Sequence, residues 1–376
     1  MIKHLSKQHQ VTVGSLVRST EEKESGRGLG DYCDHFIVGE VSEKWQYARM
    51  LLRLPTFIPS SMGYFYSRAL KLAIRREIET QHYDLIFVHC SSVAQYVEDI
   101  YHLPKILDFG DMDSQKWLIY TKVKSIPVNI GYWLEGKKLL KEEKRLATKF
   151  DLCTCTTREE FETLNNYATG AATDWFPNGV DHSYFVPSGE DYDPNLISFV
   201  GRMDYFPNQA CMFDFCRNVL PLLRQRKPAI RLTIVGANPS VKVKALGKLP
   251  GVTVTGAVPD VRPYVRSSAA MVAPLTIARG TQNKLLETMA MGVPVVTSGL
   301  AARGVDAVPG KELFTANTPE EYCDSILALL DNRDERQRLG IAGRNCVTER
   351  HDWSKSMERL DNIIARCVNT FDSAIR

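Results

Sequence analysis

From about residue 194 onward, short apolar runs rich in β-branched residues alternate with amphipathic stretches of helical period. The predicted strands cover residues 196–202, 230–236, 252–258, 269–275, 294–298 and 313–316. The predicted helices cover residues 208–225, 240–248, 261–268, 281–291, 319–331, 334–350 and 354–370. Thr318-Pro319, a capping residue before a helix-opening proline, marks one of these helix starts. The alternation is typical of a doubly wound α/β domain, in which ligands bind at the carboxyl ends of the strands.

The first part of the chain shows the same alternation. Its strands are predicted over residues 11–17, 84–90, 105–111 and 151–156, with helices between them. This pattern predicts a second α/β domain. The segment DWFPNGVDHSYFVP, residues 174–187, joins the two halves, and its Asn178-Gly179 pair predicts a turn with positive φ.

Length and composition limit the class of protein. With 376 residues, the chain is expected to form two domains, each with its own core. A net charge of +3 gives no electrostatic reason to expect a nucleic-acid partner. No apolar run is long enough to span a bilayer, and no secretion signal is recognisable. The nine scattered cysteines form no metal-type pairs, which favours a reducing, cytoplasmic location.

The strongest functional indication is GTQNKLLETMAMGVPVV, residues 280–296. Thr281 is expected to cap a helix whose first-turn N–H groups bind phosphate. Lys284 and Glu287 lie on neighbouring faces of that helix, so a lysine beside phosphates and a carboxylate beside ribose would hold a nucleotide diphosphate. The alternative is an ordinary amphipathic helix with a solvated polar face. The residues expected to bind the ligand here are Gly280, Thr281, Gln282, Asn283, Lys284 and Glu287.

This stretch resembles the donor-binding motif of retaining GT-B glycosyltransferases of the family 4 type, also called glycosyl transferases group 1. That motif has a glutamate, seven residues, a second glutamate and a G-x-P-V-V strand. Glu287 matches the second glutamate, which the resemblance assigns to the ribose of a nucleotide sugar. Arg279 stands where the first glutamate, assigned to the donor sugar, is expected. The Arg-Gly-x-Gln-Asn-Lys run is similar to a bacterial subgroup of sugar transferases linked to exopolysaccharide clusters.

The resemblance implies a GT-B fold with two Rossmann-like, doubly wound α/β domains that face a central cleft. Residues 1–175 would form the acceptor-side domain, residues 176–353 the nucleotide-sugar domain, and residues 354–376 a helix that crosses back to the first domain. The chain opens with a helix, and the first strand of the fold with its glycine-rich turn is missing. We therefore expect that Met1 is not the start of the functional protein, or that the chain is truncated. The alternative is a sheet that begins with residues 11–17.

Further contacts to the donor are expected at Gly201 and Arg202, where the strand at 196–202 ends. Glycine lets the backbone approach a ligand, and the guanidinium can contact a diphosphate through two N–H groups. The resemblance also places a phosphate contact at this Gly-Arg pair. In the family, a lysine usually follows this pair a few residues later. Here that lysine is missing and Asn208 lies near its place, so Lys284 is expected to supply the positive charge. For Arg202 the alternative is a surface salt bridge.

Gly236 and Val258 end two further strands of the same domain. The resemblance places the base of the nucleotide beside the loop after the third strand, which contains Val258. It implies no cofactor and no metal, since the nucleotide sugar is a substrate.

In the first domain, the carboxylates of Asp108, Asp111 and Asp113 lie at and beyond the end of a strand, and Asp108 or Asp111 is expected to contact the donor sugar or acceptor hydroxyls. The alternatives are a divalent cation bound by the carboxylates or simple turn chemistry, with Asp113-Ser114 capping the next helix. His89 also ends a strand, and it is either a general acid or hydroxyl ligand or a structural histidine.

Residues 44–76 mix aromatic residues, leucines and arginines around two prolines. Basic amphipathic stretches often lie on anionic membranes, which would suit a lipid-linked acceptor at the inner membrane face. The alternative is a buried helix pair with a solvated basic face.

The predicted activity is transfer of a hexose, with retention, from a nucleotide diphosphate sugar to a glycan or lipid-linked acceptor. Arg202 and Lys284 would stabilise the departing diphosphate. Same-face attack, which the resemblance implies, needs no carboxylate nucleophile. The alternatives are a nucleotide-sugar epimerase of the same fold and a non-catalytic GT-B subunit that binds nucleotide sugars.

Overall fold

The computed structural model of the protein describes residues 1–189 and 191–375. Two compact units make up the chain. The first contains Met1–Thr156, Glu160–Phe176 and the residues from Met357 onward, and the second contains Thr157–Glu159 and Pro177–Ser356.

Strands and helices alternate through both units. The strands are β1 Thr12–Val17, β2 His35–Glu40, β3 Ile86–His89, β4 Lys105–Asp108, β5 Leu152–Cys155, β6 Ala172–Trp175, β7 Asp193–Val200, β8 Arg231–Val235, β9 Val252–Gly256, β10 Ser268–Ala273, β11 Val295–Thr297 and β12 Phe314–Thr315. The helices are α1 Ile2–Leu5, α2 Thr20–Ser25, α3 Glu43–Arg53, α4 Ser60–Tyr64, α5 Arg68–Thr80, α6 Asp113–Val123, α7 Val128–Ala147, α8 Arg158–Asn165, α9 Phe206–Asp214, α10 Leu220–Arg226, α11 Val241–Leu246, α12 Arg262–Arg266, α13 Asn283–Ala290, α14 Gly299–Ala302, α15 Pro319–Asp331, α16 Arg333–Arg350 and α17 Trp353–Ile375.

The first unit has two parallel sheets where the GT-B resemblance implies one. β1 pairs with β2, and a separate sheet has the order β3-β4-β5-β6. A single core covers both sheets, because Leu16 and Ile37 pack against the cluster that contains Val88 and Leu107. Within the described residues, no strand pairs with the second edge of β1 or with the outer edge of β3.

Helix α17 packs on the other side of the four-stranded sheet. Its Met357, Leu360 and Ile363 join Ile106 and Leu152 in one apolar cluster. Two ion pairs and a hydrogen bond add to this packing: Asp174 accepts from Arg359 at 2.8 Å and from Arg366 at 2.6 Å, and Nε2 of His4 lies 2.9 Å from Oδ2 of Asp361. The residues of α17 from Met357 onward therefore belong to the first unit.

The second unit is built on a six-stranded parallel sheet of order β12-β11-β10-β7-β8-β9. Every residue of β10 is buried, as expected for a strand that helices cover on both faces. Apolar residues of α9, α10, α13 and α15 complete the core. The predicted α/β class with parallel sheets is confirmed, and each of the six strands expected after residue 194 is present.

One predicted helix is interrupted, and one helix start is confirmed. The stretch expected as a single helix over 208–225 contains a π-helical turn at Phe215–Val219. Pro221 follows this turn, and its ring would clash with the carbonyl group one turn earlier in a regular α-helix. The backbone hydrogen bonds of the helix therefore change locally to the wider π-helical pattern. At α15, Thr318 caps the helix and Pro319 takes the first helical position, as predicted. The side chain of Glu321 completes a reciprocal capping box with Thr318.

The segment that joins the halves differs from its predicted turn. Neither Asn178 nor Gly179 adopts positive φ. Glycine is required at 179 for space, because a Cβ there would lie 2.6 Å from the ring of Trp353. Buried His351 fixes the same segment: its ring nitrogens lie 3.0 Å from the carbonyl oxygen of Asn178 and 2.8 Å from that of Val305.

The nine cysteines are free thiols. Among the residues that the structure describes, no helix is both long enough and apolar enough to cross a membrane.

Candidate functional site

Two glycines bring the carboxyl ends of β7 and β8 into backbone contact. Gly201 donates its N–H to the carbonyl group of Val235 at 3.0 Å. A Cβ built on Gly236 would lie only 1.8 Å from the carbonyl oxygen of Gly201, so no other residue fits there without moving a strand. Because both residues lack side chains, the backbone at this crossing is accessible at the edge of the sheet where ligands of doubly wound folds bind.

Lys284 of α13 reaches this crossing. Its Nζ donates to Oδ1 of Asn208 at 2.7 Å and lies 4.7 Å from the centroid of the Phe199 ring. A Cβ on Gly201 would lie 2.9 Å from Nζ, so the absence of a side chain at 201 makes room for the ammonium group. Burial lowers the pKa of Lys284 to about 8, although the charge of nearby Glu287 favours the protonated form.

Asn208, on α9, connects the parts of this arrangement. Its Nδ2 donates to the carbonyl oxygen of Arg202 at 2.8 Å while its Oδ1 accepts from Lys284. The sequence pointed to Asn208 only as the residue near a missing lysine. The structure shows that its amide orients Lys284, and the neutral partner leaves the ammonium charge uncompensated at this contact.

Glu287 lies one turn after Lys284 on α13. Burial raises the pKa of its carboxyl group, and the positive charge of Lys284 opposes that rise. Its carboxylate accepts no side-chain hydrogen bond within the described part of the chain. Glu287 therefore presents an acceptor close to the ammonium group, the combination that the sequence predicted.

The start of α13 differs from the prediction. The helix begins at Asn283, and Gln282 is its N-cap residue without a side-chain capping bond. Thr281 lies one position before the cap, and its buried hydroxyl has no hydrogen-bond partner among the described residues. Gly280, at φ +63°, turns the chain ahead of the helix, and Gln282 Nε2 donates back to the carbonyl group of Arg279 at 3.1 Å. The predicted cap at Thr281 is therefore wrong.

Arg202 projects from the end of β7 and is 75% exposed. Its guanidinium donates to both carboxylate oxygens of Asp204, at 2.7 and 3.2 Å. The surface ion pair considered as an alternative is thus present. Such an exposed pair contributes little to stability, so a diphosphate could replace Asp204 at small cost.

Arg279, at the position of the family's first glutamate, is only 12% exposed. Its Nη1 lies 3.2 Å from Oε1 of Glu159, a carboxylate that Arg303 also approaches at 3.6 Å. Sequence reasoning did not identify Glu159, which is distant in the chain. The ion pair fixes the loop that precedes α13.

Val258 lies two residues after β9 and is partly exposed. Because parallel strands end at one edge of the sheet, it is on the same edge as Gly201 and Gly236.

Within the first unit, His89 and Asp108 end adjacent strands and form a pair. His89 Nδ1 donates to Asp108 at 2.7 Å, and Thr154 Oγ1 donates to the same carboxylate at 3.0 Å. Asp108 is buried, whereas the His89 side chain is 57% exposed. The bond to Asp108 raises the pKa of His89 to about 10, so the imidazole is protonated at neutral pH.

The other residues predicted to act in the loop after β4 lie at or near the start of α6. Asp111 accepts a long hydrogen bond from Thr156 Oγ1 at 3.4 Å. Helix α6 has Met112 as its N-cap residue with no side-chain capping bond, so the Asp113-Ser114 cap considered as an alternative is absent. Ser114 instead bonds to buried Glu143 through its N–H at 2.8 Å and its hydroxyl at 2.5 Å. Among the described residues, no group of three or more His, Cys, Asp or Glu side chains is arranged to hold a metal ion.

Comparison with known proteins identifies the domain that contains Lys284 and Glu287. The family model "Glycosyl transferases group 1" matches residues 194–332. These residues form a glycosyl transferases group 1 domain. The α/β fold with parallel sheets matches GT-B glycosyltransferase structures.

Three proteins illustrate what this group 1 domain and its chain are similar to. A GDP-mannose-dependent alpha-(1-6)-phosphatidylinositol monomannoside mannosyltransferase of Mycobacterium tuberculosis is 26% identical over 234 residues, covering 55% of this chain and 59% of that protein. The Anabaena protein HepE, solved with UDP and glucose, superposes with a TM-score of 0.65 at 14% identity, covering 97% of this chain and 94% of that one. Sucrose-phosphate synthase of Thermosynechococcus elongatus gives 0.65 at 16% identity, covering 80% and 78%.

The chain spans between 24% and 64% of the length of the curated relatives that it matches. Because of this partial coverage, the activity of the whole protein is a proposal.

Proposed function

We propose that the protein is a retaining glycosyltransferase that moves a hexose from a nucleotide diphosphate sugar to a glycan or lipid-linked acceptor. The observation that supports this best is Lys284, whose partly buried ammonium group is held by an amide beside Gly201 at the carboxyl edge of the sheet. A cation in this setting binds an anion strongly, because little water competes for it.

The donor half of the reaction follows from the arrangement around Lys284. As the bond between the anomeric carbon and the phosphate oxygen breaks, negative charge develops on the departing diphosphate. Lys284 stabilises that charge from a fixed position, and Arg202 adds a second cation after leaving Asp204. Glu287 accepts hydrogen bonds from the ribose hydroxyls. Gly201 and Gly236 let the diphosphate approach the backbone.

The proposal of retention rests on the resemblance of residues 280–296 to the family 4 donor-binding motif. The bond to Asp108 raises the pKa of His89 to about 10, so the imidazole is protonated at neutral pH and can donate hydrogen bonds. In same-face attack, the acceptor oxygen bonds to the anomeric carbon while its proton passes to the departing phosphate oxygen. His89 and Asp108 then serve as hydrogen-bonding groups for sugar hydroxyls, with Asp111 nearby in the chain.

Two similar proteins support the substrate classes. One is a GDP-mannose-dependent phosphatidylinositol monomannoside mannosyltransferase, and the other was solved with UDP and glucose. We extend the proposal to a lipid-linked acceptor at the inner membrane face and to exopolysaccharide or other cell-surface polysaccharide synthesis, following the Arg-Gly-x-Gln-Asn-Lys run.

NMR of sugar nucleotides incubated with the protein tests the reaction. We expect consumption of one donor, release of its nucleotide diphosphate, and a product whose anomeric configuration equals that of the donor. Conversion of the donor sugar into an epimer would instead favour the alternative of an epimerase. Tight binding of a nucleotide sugar without turnover, in the presence of candidate acceptors, would favour the non-catalytic subunit. A product of opposite configuration would contradict retention.

A further inference from the structure

Helix α3 of the first unit has polar side chains on its inner face and apolar side chains on its outer face. Its buried residue is Gln46, whose amide donates to the carbonyl group of Tyr64. Arg49 also points inward and donates to the carbonyl group of Tyr66 at 2.6 Å. After exposed Glu43 and Lys44 at the start of the helix, the outward side chains are mainly apolar, with Trp45 70% and Leu52 75% exposed two turns apart on one face. Helices that face water carry polar side chains on the exposed face. The exposed apolar face of α3 is therefore suited to contact with something other than water.

The chain after α3 continues the exposed apolar surface. Leu54, Phe57 and Ile58 are all exposed, Phe57 to 89%. Helix α7 supports this loop from below: Lys138 Nζ donates to the carbonyl group of Leu54 at 2.8 Å, and Lys141 Nζ lies 5.9 Å from the centroid of the Phe57 ring.

Helix α7 adds a second segment to this surface. Exposed Ile130 and Leu134 are one turn apart and in line with Lys138 and Lys141, so they lie on the face of α7 that meets the loop. Other exposed apolar residues precede or flank them: Val123, Ile126, Val128 and Trp133. We call residues 45–58 and 123–134 together the apolar surface. These two segments carry 13 exposed large apolar side chains, a concentration that scattered surface residues do not explain.

Basic residues surround the apolar surface. Residues 43–58 contain three basic side chains, of which Arg49 points inward, and one acidic side chain, the exposed Glu43. Residues 122–141 contain five lysines and one acidic residue, Glu135. Glu135 is buried and accepts from the N–H groups of Ser60 at 3.0 Å and Ser61 at 2.8 Å, so it does not offset the lysines at the surface. Since the whole chain has a net charge of only +3, positive charge is concentrated here.

We propose that the apolar surface docks on an anionic lipid bilayer. Its aromatic and aliphatic side chains enter the boundary between headgroups and acyl chains, and the surrounding lysines and arginines contact lipid phosphates. Charge complementarity favours this occupant, because a cationic rim repels a second copy of the same surface. The proposal deepens the proposed function by bringing the enzyme to lipid-linked acceptors. It narrows the predicted membrane segment, 44–76, to residues 45–58 and adds residues 123–134 before and at the start of α7.

Co-sedimentation with vesicles tests the proposal without any sugar nucleotide. We expect the full chain to bind phosphatidylcholine vesicles that contain phosphatidylglycerol and to bind pure phosphatidylcholine vesicles much more weakly. Leu52→Ser combined with Phe57→Ser should lower the affinity by roughly tenfold or more, since two apolar anchors are lost. Lys44→Glu combined with Lys137→Glu should lower it by at least about fivefold per charge.

Matched controls separate this surface from exposure or charge in general. Leu72→Ser and Val241→Ser remove exposed apolar side chains elsewhere, and Lys242→Glu reverses a lysine of the second unit. These variants should bind vesicles like the unchanged chain. Equal losses in the controls, no binding to anionic vesicles, or a dimer that Phe57→Ser dissociates would each overturn the proposal. Calorimetry with UDP or GDP in the same preparations keeps a failure of this proposal distinct from a failure of the nucleotide site.

Discussion

At the scale of single residues, Lys284 decides whether the second unit binds a diphosphate. Lys284→Met retains the length of the side chain and removes its charge, so we expect the affinity for a nucleotide diphosphate to fall by about 10- to 100-fold, the usual cost of losing a hydrogen bond to a charged group. Isothermal titration calorimetry measures this change. Lys244→Met, on exposed α11, is the matched control, and equal affinities in the two variants would contradict the assignment.

The pH dependence of binding follows from the same residue. Because the pKa of Lys284 is lowered to about 8, its positive charge is present below that pH and is lost as the pH rises through it. Nucleotide affinity should therefore decrease above about pH 8. A bound diphosphate favours the ammonium form, so binding above this pH should take up a proton. Calorimetry in buffers of different ionisation enthalpy detects the uptake, which should be absent in Lys284→Met.

His89 allows a second test at this scale. Asp108→Asn removes the carboxylate that stabilises the imidazolium, so the pKa of His89 should fall from about 10 toward the ordinary value of about 6.5. The stabilisation of the folded state by this pair is fully present below the ordinary pKa and is lost as the pH rises through the raised one. Titration of the histidine ring signals by NMR measures the shift. Asp84→Asn, beside exposed His82, should leave His89 unchanged.

The sequence indicated which residues form the candidate site better than it indicated which residues they contact. The spacing of Lys284 and Glu287 on one helix was readable from the sequence, because helical geometry is local. The partners of the charged residues were not equally readable. Asn208 and Glu159 are far from Lys284 and Arg279 in the chain, and only the packing of α9 and of Thr157–Glu159 brings them together. The Thr281 cap failed because Gly280 delays the start of the helix by two residues.

At the scale of elements, the crossing of β7 and β8 fixes the geometry of the site. Gly236→Ala places a Cβ 1.8 Å from the carbonyl oxygen of Gly201, so the strand ends must separate. We expect a loss of about 1–3 kcal/mol in the free energy of unfolding, as for other overpacked positions, together with weaker nucleotide binding. Thermal or urea denaturation measures the first effect.

A glycine on a helix gives the control for this substitution. A Cβ on Gly131, in the first turns of α7, meets no atom within 4 Å. Gly131→Ala should leave stability unchanged or raise it by roughly 0.5–1 kcal/mol. If both alanine variants unfolded alike, the close crossing of β7 and β8 would not be the constraint inferred here.

Strands and helices of the second unit were largely readable from the sequence, since buried parallel strands and amphipathic helices have distinct patterns. The exceptions have local causes. The π-helical turn before Pro221 depends on one residue inside an otherwise regular helical pattern. In the first unit, β2 and β6 were missed: most residues of both strands are only partly buried, so neither stands out as an apolar run.

At the scale of the whole molecule, the two units have different proposed roles. The second holds the group 1 domain and the residues proposed to bind the nucleotide diphosphate sugar. The first holds the His89–Asp108 pair and the apolar surface proposed to contact lipid. Composition alone did not indicate the lipid contact, because the net charge of the whole chain is only +3 although basic residues are concentrated around the apolar surface.

The most direct test of the central claim is the consumption of UDP, GDP and dTDP hexoses by the unchanged chain, Lys284→Met and Lys244→Met, measured side by side with candidate acceptors. We predict that at least one donor is consumed with release of an equal amount of its nucleotide diphosphate, that Lys244→Met matches the unchanged chain, and that Lys284→Met loses most of the activity. Full activity in Lys284→Met, or no binding and no consumption of any nucleotide sugar, would contradict the account.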